Sequence, residues 1–391
     1  MTGASDLGPR TPDQPVRILM VAGGTGGHIF PALAVAEELR GRSGPGNQSY
    51  EIEFLGTHRP LEAKLIPAAG FPLRAVDAAG LKGIHGIQRL RNLWVLPRTA
   101  FAVARILRKF RPRVVVGVGG YLAGPVMLEA ALAGIPTLLI EPNVRPGFTN
   151  RLLRPVVRAA ALGFADTAPL YGKKAHVTGL PVRRAFFEIP SRPVPPALLP
   201  VSTRTQPGVA VSPFTILVVG GSQGSRAINQ AVPESFRLLA VVPGAMRIIH
   251  QTGERDYNEV RNAYQERGLA AEVHAFIDDM PGTLAQADLV ISRAGATAVT
   301  ELAAAGKAAL LVPFPGAADQ HQLDNARVME RIGAARVILQ ADLTPERLAG
   351  EIRELMANPE TLEKMGDSPR GLAKPDAAAG IADLVEALAQ R

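Results

Sequence analysis

Ile18, Leu19, Met20, Val21 and Ala22 form an unbroken apolar run that ends in glycines, and residues 31–39 then carry apolar positions at helical spacing. A short run without polar alternation predicts a strand covered on both faces, here followed by a Gly-rich turn and a helix. The pattern returns down the chain. Residues 51–56 read as a strand and 61–70 as a helix; residues 114–118 read as a buried strand, followed by Gly119-Gly120 and a helix over 125–133. Residues 135–140 give another strand. Strands alternating with helices predict an α/β chain with a doubly wound parallel sheet.

From 190 to 213 the periodicity stops and Pro, Ser, Thr and Val dominate, which predicts a linker or an exposed excursion. The opening theme then repeats. Ile216-Leu217-Val218-Val219-Gly220-Gly221-Ser222-Gln223-Gly224 matches Leu19-Met20-Val21-Ala22-Gly23-Gly24-Thr25-Gly26-Gly27 in texture. Strands follow at 246–250, 272–276, 289–292 and 308–312. The chain therefore reads as two Rossmann-like doubly wound domains facing a cleft, with ligands beyond the strand C-termini. The expected boundaries are a disordered tail over 1–15, a first domain over 16–185, a linker over 190–213 and a second domain over 214–370. An Ala-rich helix over 375–391 is expected to return to the first domain.

The length of 391 residues fits two domains. Cysteine is absent, which excludes disulfides, thiol catalysis and Cys–metal sites. No run approaches the roughly 18 apolar residues of a membrane span, and the polar first residues lack the apolar core of an export signal. A cytoplasmic protein, free or peripheral, is expected. The formal charge of +8 points to an anionic partner without naming it. Its distribution says more. Nine Lys or Arg and no Asp or Glu occur between Lys82 and Arg113, interleaved with Ile84, Ile87, Leu90, Leu93, Trp94, Leu96 and Phe101. Basic residues beside apolar ones suit an interfacial element on anionic lipid; the plainer alternative is a helix whose apolar face is core. Nucleic acid is not expected, because no aromatic stacking platform or known binding motif accompanies the charge.

Three loops carry candidate chemistry. Gly23-Gly24-Thr25-Gly26-Gly27-His28 precedes a helix whose free N–H groups suit phosphate. It fails both the dinucleotide fingerprint and the P-loop pattern, which argues against a dehydrogenase and a P-loop NTPase. His28 is placed as a general base, or else as a capping or packing residue. Gly220-Gly221-Ser222-Gln223-Gly224-Ser225 is a second such loop. In the run from Ser292 to Glu301, a strand gives way to a helix near Ala296 whose small first residues leave room for a diphosphate, and Glu301 suits a ribose diol. Asp319, Gln320, His321, Gln322 and Asn325 form a polar group suited to a sugar. Asp278-Asp279 reads as a helix start rather than a metal site, and no Asp-x-Asp occurs. No metal and no cofactor are expected, so a leaving diphosphate would be stabilised by helix ends and cations such as Arg183.

In order, the chain carries Gly23 to Ala34, Gly119-Gly120-Tyr121, Glu141-Pro142-Asn143, Gly179-Leu180-Pro181-Val182-Arg183, Gly220 to Ser225, Phe276 to Met280, Ser292 to Glu301 and Asp319 to Asn325. This ordered set resembles the GT-B glycosyltransferases, and among them family 28. It departs at Pro142, where the family often has Gln, and in a longer segment over 190–213. The resemblance implies inverting transfer of N-acetylglucosamine from UDP-GlcNAc to the 4-hydroxyl of lipid I, an undecaprenyl-diphospho-muramoyl-pentapeptide. The products would be lipid II and UDP. It implies that Thr25, Gly26, Gly27 and Asn143 meet the sugar and the acceptor, and that His28, or alternatively Glu141, is the base. Arg183 and Ser222 would contact the diphosphate, Ile277 would offer backbone groups to uracil, and Ala296, Thr297, Ala298, Val299 and Thr300 would cradle phosphate. Glu301 would hold the ribose and Gln322 the GlcNAc hydroxyls. The first domain would take the acceptor and the cytoplasmic face of the membrane, the second the nucleotide, with other cell-wall synthesis proteins as further partners. The rival readings are a UDP-GlcNAc 2-epimerase, a glycolipid synthase using UDP-galactose, and a non-enzymatic membrane adaptor.

Overall fold

The computed structural model describes residues 14–23, 26–44, 48–76, 87–120, 122–190, 213–239 and 245–390, with backbone only for 26, 87–97 and 318. Most of the expected tail and linker, the stretch from Lys82 to Gly86, and Gly24, Thr25 and Tyr121 lie outside the described residues. The chain divides into two units. One ends at Val182 and takes up the chain again from Lys374; the other runs from Arg183 to Ala373. The division falls ahead of Pro190, because a 3-10 turn over Arg184–Phe186 buries Phe186 within the second unit.

The first unit holds a seven-stranded parallel sheet. Its order is β3 (Leu73–Ala75), β2 (Tyr50–Gly56), β1 (Val16–Val21), β4 (Val114–Gly117), β5 (Thr137–Glu141), β6 (Ala159–Leu162) and β7 (Ala175–His176). Its helices are α1 (Gly26–Gly41), α2 (Pro60–Ala68), α3 (Ile87–Phe110), α4 (Ala123–Leu132), α5 (Phe148–Leu153) and α6 (Ala168–Tyr171). The second unit has six parallel strands: β10 (Glu272–His274), β9 (Met246–Gln251), β8 (Phe214–Val219), β11 (Leu289–Ser292), β12 (Ala309–Leu311) and β13 (Ala335–Val337). With it go α7 (Arg226–Leu239), α8 (Tyr257–Glu266), α9 (Met280–Gln286), α10 (Ala296–Ala305), α11 (His321–Arg331), α12 (Pro345–Met356) and α13 (Pro359–Asp367). The last helix, α14 (Ala377–Ala389), belongs to the first unit and packs on α1. Arg42 holds it through Asp383 at 2.7 Å, and Tyr50 donates to Glu386 at 2.7 Å.

Both sheets are doubly wound, and in each the strand order reverses once. The reversal lies between β1 and β4 in the first unit and between β8 and β11 in the second. Strands covered on both faces are largely apolar, and β4, β5, β6 and β11 are buried at every position, with Thr137, Glu141 and Ser292 as polar residues at their ends. Each fully buried Val, Leu or Ile contributes about 1.5–3 kcal/mol. At a reversal the neighbouring loops part, and the crevice they leave is where such sheets bind ligands. The Gly-rich loops singled out above leave β1, β4, β8 and β11 at these two places.

Candidate active site

In the first unit, α1 begins at Gly26 rather than at Pro31. Proline reads as a helix start because its missing N–H costs nothing there. Here it forfeits one bond, to the Gly27 carbonyl, while Ile29, Ala32, Val35, Ala36 and Leu39, all fully buried, carry the helix through. His28 therefore sits in the first turn. Its Nδ1 lies 3.1 Å from the Gly23 carbonyl, which can only accept. Nδ1 is thus the protonated nitrogen of the neutral ring, and Nε2 is the basic one. Nε2 faces the end of β4. Gly119 and Gly120 have φ of 110° and 86°. A Cβ at Gly119 would lie 3.4 Å from His28 Nε2, and one at Gly120 would press on the Gly23 carbonyl at 2.9 Å. Glycine is what lets the two loops close on the imidazole.

Glu141 ends β5 and is fully buried. Oε1 accepts from the Asn143 N–H at 2.9 Å, and Oε2 accepts from Asn150 Nδ2 at 2.7 Å. Burial pushes its pKa up to about 7, against the pull of the hydrogen bonds from Asn143, Asn150 and Gly147. A carboxyl so enclosed orients Asn143 and does not reach solvent. From below, the buried Thr167 hydroxyl donates to the Val144 carbonyl at 2.9 Å. Asn150 brings a further feature: its Oδ1 is buried with no hydrogen-bond partner among the described residues, 3.5 Å from the point a Gly119 Cβ would occupy. Sequence reasoning passed over Asn150, and also the buried Glu62, whose carboxylate accepts from Thr57 Oγ1 at 3.0 Å and lies against Gly23. Neither stands out in the sequence, because the short helices that carry them hold other polar residues, Lys64 beside Glu62 and Thr149 and Arg151 beside Asn150.

In the second unit, Ser222 is exposed on the loop after β8. That loop presses on the end of β9 so tightly that a Cβ at Gly224 would overlap the Thr252 carbonyl. Beneath it, buried His250 contacts Tyr264 Oη at 3.0 Å and Asn229 Oδ1 at 3.1 Å; burial holds its pKa down to about 3, so it is a neutral structural ring. Asp279 caps α9, accepting from the Gly282 N–H at 3.0 Å, in line with its reading as a helix start.

The N-terminus of α10 has no side-chain cap. Its cradle is shorter than the sequence reading had it. The Val299 N–H already donates to the Gly295 carbonyl at 2.9 Å, the Thr300 hydroxyl donates to the Ala296 carbonyl at 2.9 Å, and both side chains are buried. Helix geometry thus leaves Ala296, Thr297 and Ala298 with N–H groups directed outward. The Thr297 hydroxyl is buried with no hydrogen-bond partner among the described residues. Glu301 is half-buried in the second turn. Burial pushes it up to about 7, and Arg183, exposed and stacked over Phe186 at 5.0 Å, partly offsets this. Two other expectations are narrowed. The Ile277 N–H donates to Gln251 Oε1 at 2.9 Å, and Gln322 Oε1 accepts from the Phe314 N–H at 3.0 Å. Those groups are committed within the fold, which leaves the Ile277 carbonyl and the Gln322 amide nitrogen for a ligand. Buried Arg293 donates to the Val312 carbonyl at 3.0 Å and to Gln340 at 2.7 Å. Burial lowers its pKa to about 10.

These features match known proteins. Residues 18–162 match the model of the glycosyltransferase family 28 N-terminal domain, and residues 215–381 that of the family 28 C-terminal domain. The chain belongs to glycosyltransferase family 28. A family relative from Anaeromyxobacter sp. (strain Fw109-5) is 45% identical over 96% of this chain and 94% of its own length. It is named UDP-N-acetylglucosamine–N-acetylmuramyl-(pentapeptide) pyrophosphoryl-undecaprenol N-acetylglucosamine transferase. The relative of the same name from Myxococcus xanthus is 40% identical over 94% of this chain and 92% of its own length. The crystal structure of Acinetobacter baumannii MurG is 33% identical with a TM-score of 0.75, covering 95% of this chain and all of that one. The UDP-GlcNAc 2-epimerase of Neisseria meningitidis, at 16% identity and a TM-score of 0.66 over 95% of this chain and 100% of its own, shares the fold alone. Both units thus have the GT-B type of Rossmann-like sheet.

Proposed function

We propose that this chain transfers N-acetylglucosamine from UDP-GlcNAc to an N-acetylmuramyl-pentapeptide carried on undecaprenyl diphosphate, with UDP as the second product. The observation that carries this is the near full-length likeness, at 45% identity, to a transferase of that name. The test is product analysis. Incubated with UDP-GlcNAc and a polyprenyl-diphospho-muramyl-pentapeptide, the native chain should yield a lipid heavier by one N-acetylhexosamine. Free N-acetylmannosamine and an unaltered lipid would point to epimerisation instead.

The chemistry follows from the geometry. His28 Nε2 takes the proton of the acceptor's 4-hydroxyl as that oxygen attacks the anomeric carbon and the bond to UDP breaks. Gly26 and Gly27 admit the acceptor close to the backbone, with Thr25 beside them in the sequence, and Asn143 orients it. Glu141 acts through Asn143 and not on the substrate. The leaving diphosphate is met by the N–H groups of Ala296, Thr297 and Ala298, the Thr297 hydroxyl, Ser222 and Arg183. Uracil takes the Ile277 carbonyl, and the Gln322 amide nitrogen meets a GlcNAc hydroxyl.

Glu301 receives the ribose diol, which gives a pH signature. Two donated hydroxyls need the ionised carboxylate, and burial holds that group near 7 in the free protein. UDP binding then favours loss of the proton, so affinity rises with pH through 7. Between pH 6 and pH 8 the Kd of UDP is expected to fall by roughly tenfold from this group. In Glu301→Gln that part of the slope should vanish, while any titration of UDP's own phosphate persists in both proteins. Equal slopes would remove Glu301 from the ribose.

The acceptor's lipid places the reaction at a membrane. No helix of the described residues is long and apolar enough to cross one. On α3, Phe101 is 72% exposed between exposed Arg98 and Arg105, which suits peripheral docking on anionic lipid at the cytoplasmic face. Phe101→Ser is expected to weaken co-sedimentation with phosphatidylglycerol vesicles by roughly threefold or more, and equal binding by the variant would move the contact elsewhere. Other cell-wall synthesis proteins are further partners that the family resemblance implies.

A further inference from the structure

Gln251, the last residue of β9, is 2% exposed and spans two loops assigned above to different parts of the nucleotide. Nε2 donates to the Gly221 carbonyl at 3.0 Å, and Oε1 accepts from the Ile277 N–H at 2.9 Å. The amide's orientation is fixed by its partners, since the carbonyl can only accept and the N–H can only donate. The two residues that follow it are paired to one neighbouring segment. The Gly253 N–H donates to the Ala275 carbonyl at 3.1 Å, and the Thr252 N–H to the His274 carbonyl at 2.9 Å. Backbone pairing thus joins β9 to the segment leading to Ile277. The Gly-rich loop after β8 has no such pairing to that segment among the described bonds. Beside the packing of that loop on Thr252, the Gln251 carboxamide is what hydrogen-bonds to both among the described residues.

We propose that Gln251 is a positioning residue that couples the diphosphate loop to the uracil rim, and so makes both the gain from the β-phosphate and the preference for uracil depend on one side chain. The inference rests on the UDP-sugar reading. With Gly221 anchored, the phosphate loop is ordered before the diphosphate arrives, and none of the binding is spent on ordering it. With its N–H occupied by Gln251, Ile277 turns its carbonyl acceptor, and not its N–H, to the base. An acceptor suits the N3–H of uracil and rejects cytosine, whose N3 has no proton.

The experiment is calorimetric titration of the full chain with UMP, UDP and CDP, alongside thermal unfolding. In native protein the Kd ratios UMP/UDP and CDP/UDP measure the phosphate gain and the base preference. Gln251→Leu is expected to shrink each ratio by roughly fivefold, the worth of about one buried hydrogen bond. Gln251→Met loses the same bonds with a more adaptable side chain and serves the comparison if the leucine variant does not fold. Gln251→Glu still accepts from Ile277 and is expected to keep the native CDP/UDP ratio. A residue that merely stabilises the fold would lower Tm and leave both ratios at their native values; that result in Leu or Met overturns the proposal. Loss of the CDP/UDP preference in Glu overturns the uracil arm. A native chain that binds no UDP overturns the donor reading and this inference with it.

Discussion

His28→Ala is expected to lower kcat by roughly 100-fold or more while leaving the Kd of UDP within about twofold of native. The split follows from where the residue lies. His28 belongs to the first unit, in the first turn of α1, whereas the groups assigned to UDP belong to the second. The Gly23 carbonyl fixes the proton on Nδ1 and so leaves Nε2 as the base. His28→Asn keeps a donor toward Gly23 but supplies no base, and it should be as slow as alanine. Near-native turnover in either variant would take the proton transfer away from this residue.

The second large effect concerns Glu141. Glu141→Ala strips the Asn143 N–H and Asn150 Nδ2 of their acceptors inside a buried pocket. Unsatisfied buried donors cost about 1–3 kcal/mol each, so the loop that carries Asn143 shifts and kcat is expected to fall by roughly 50-fold. Glu141→Gln should differ sharply. Its remaining oxygen can still accept from the Asn143 N–H. Its new amide can donate to Asn150 Oδ1 if that side chain flips, since Oδ1 has no partner among the described residues. Turnover within about fivefold of native is expected, with the loop intact. A base would give the opposite pattern, since glutamine cannot take a proton, and equal loss in Ala and Gln would make Glu141 catalytic in its own right. The fully buried carboxylate argues for the first outcome.

The parallel strands were readable because burial on both faces leaves an unbroken apolar run, as in β1, β4 and β8. The strands β3, β6, β7 and β13 were not readable. They are two to four residues long, and β6 is Ala-Ala-Ala-Leu, which carries no strand preference of its own. Neighbouring strands impose the conformation there. The anion-ready loops were legible for a local reason, a glycine cluster between a strand and a helix. Which atoms remain available in them was not. That Val299 and Thr300 spend their groups inside α10 depends on where the helix begins. That Ile277 gives its N–H to Gln251 depends on a partner 26 residues away. Glu141 reads in sequence as a candidate base, and its enclosure by Asn143 and Asn150 is what the proposal of a supporting role rests on. Asn150, Glu62 and Gln251 were silent for the same reason: each works through a tertiary contact.

The most direct measurement is UDP release by the native chain from UDP-GlcNAc, with and without a polyprenyl-diphospho-muramyl-pentapeptide, in EDTA. Release that depends on the acceptor and persists in EDTA is the predicted result, because helix N-termini and cationic side chains are assigned the stabilisation of the leaving diphosphate. Release that ignores the acceptor, or that EDTA abolishes, would contradict the account.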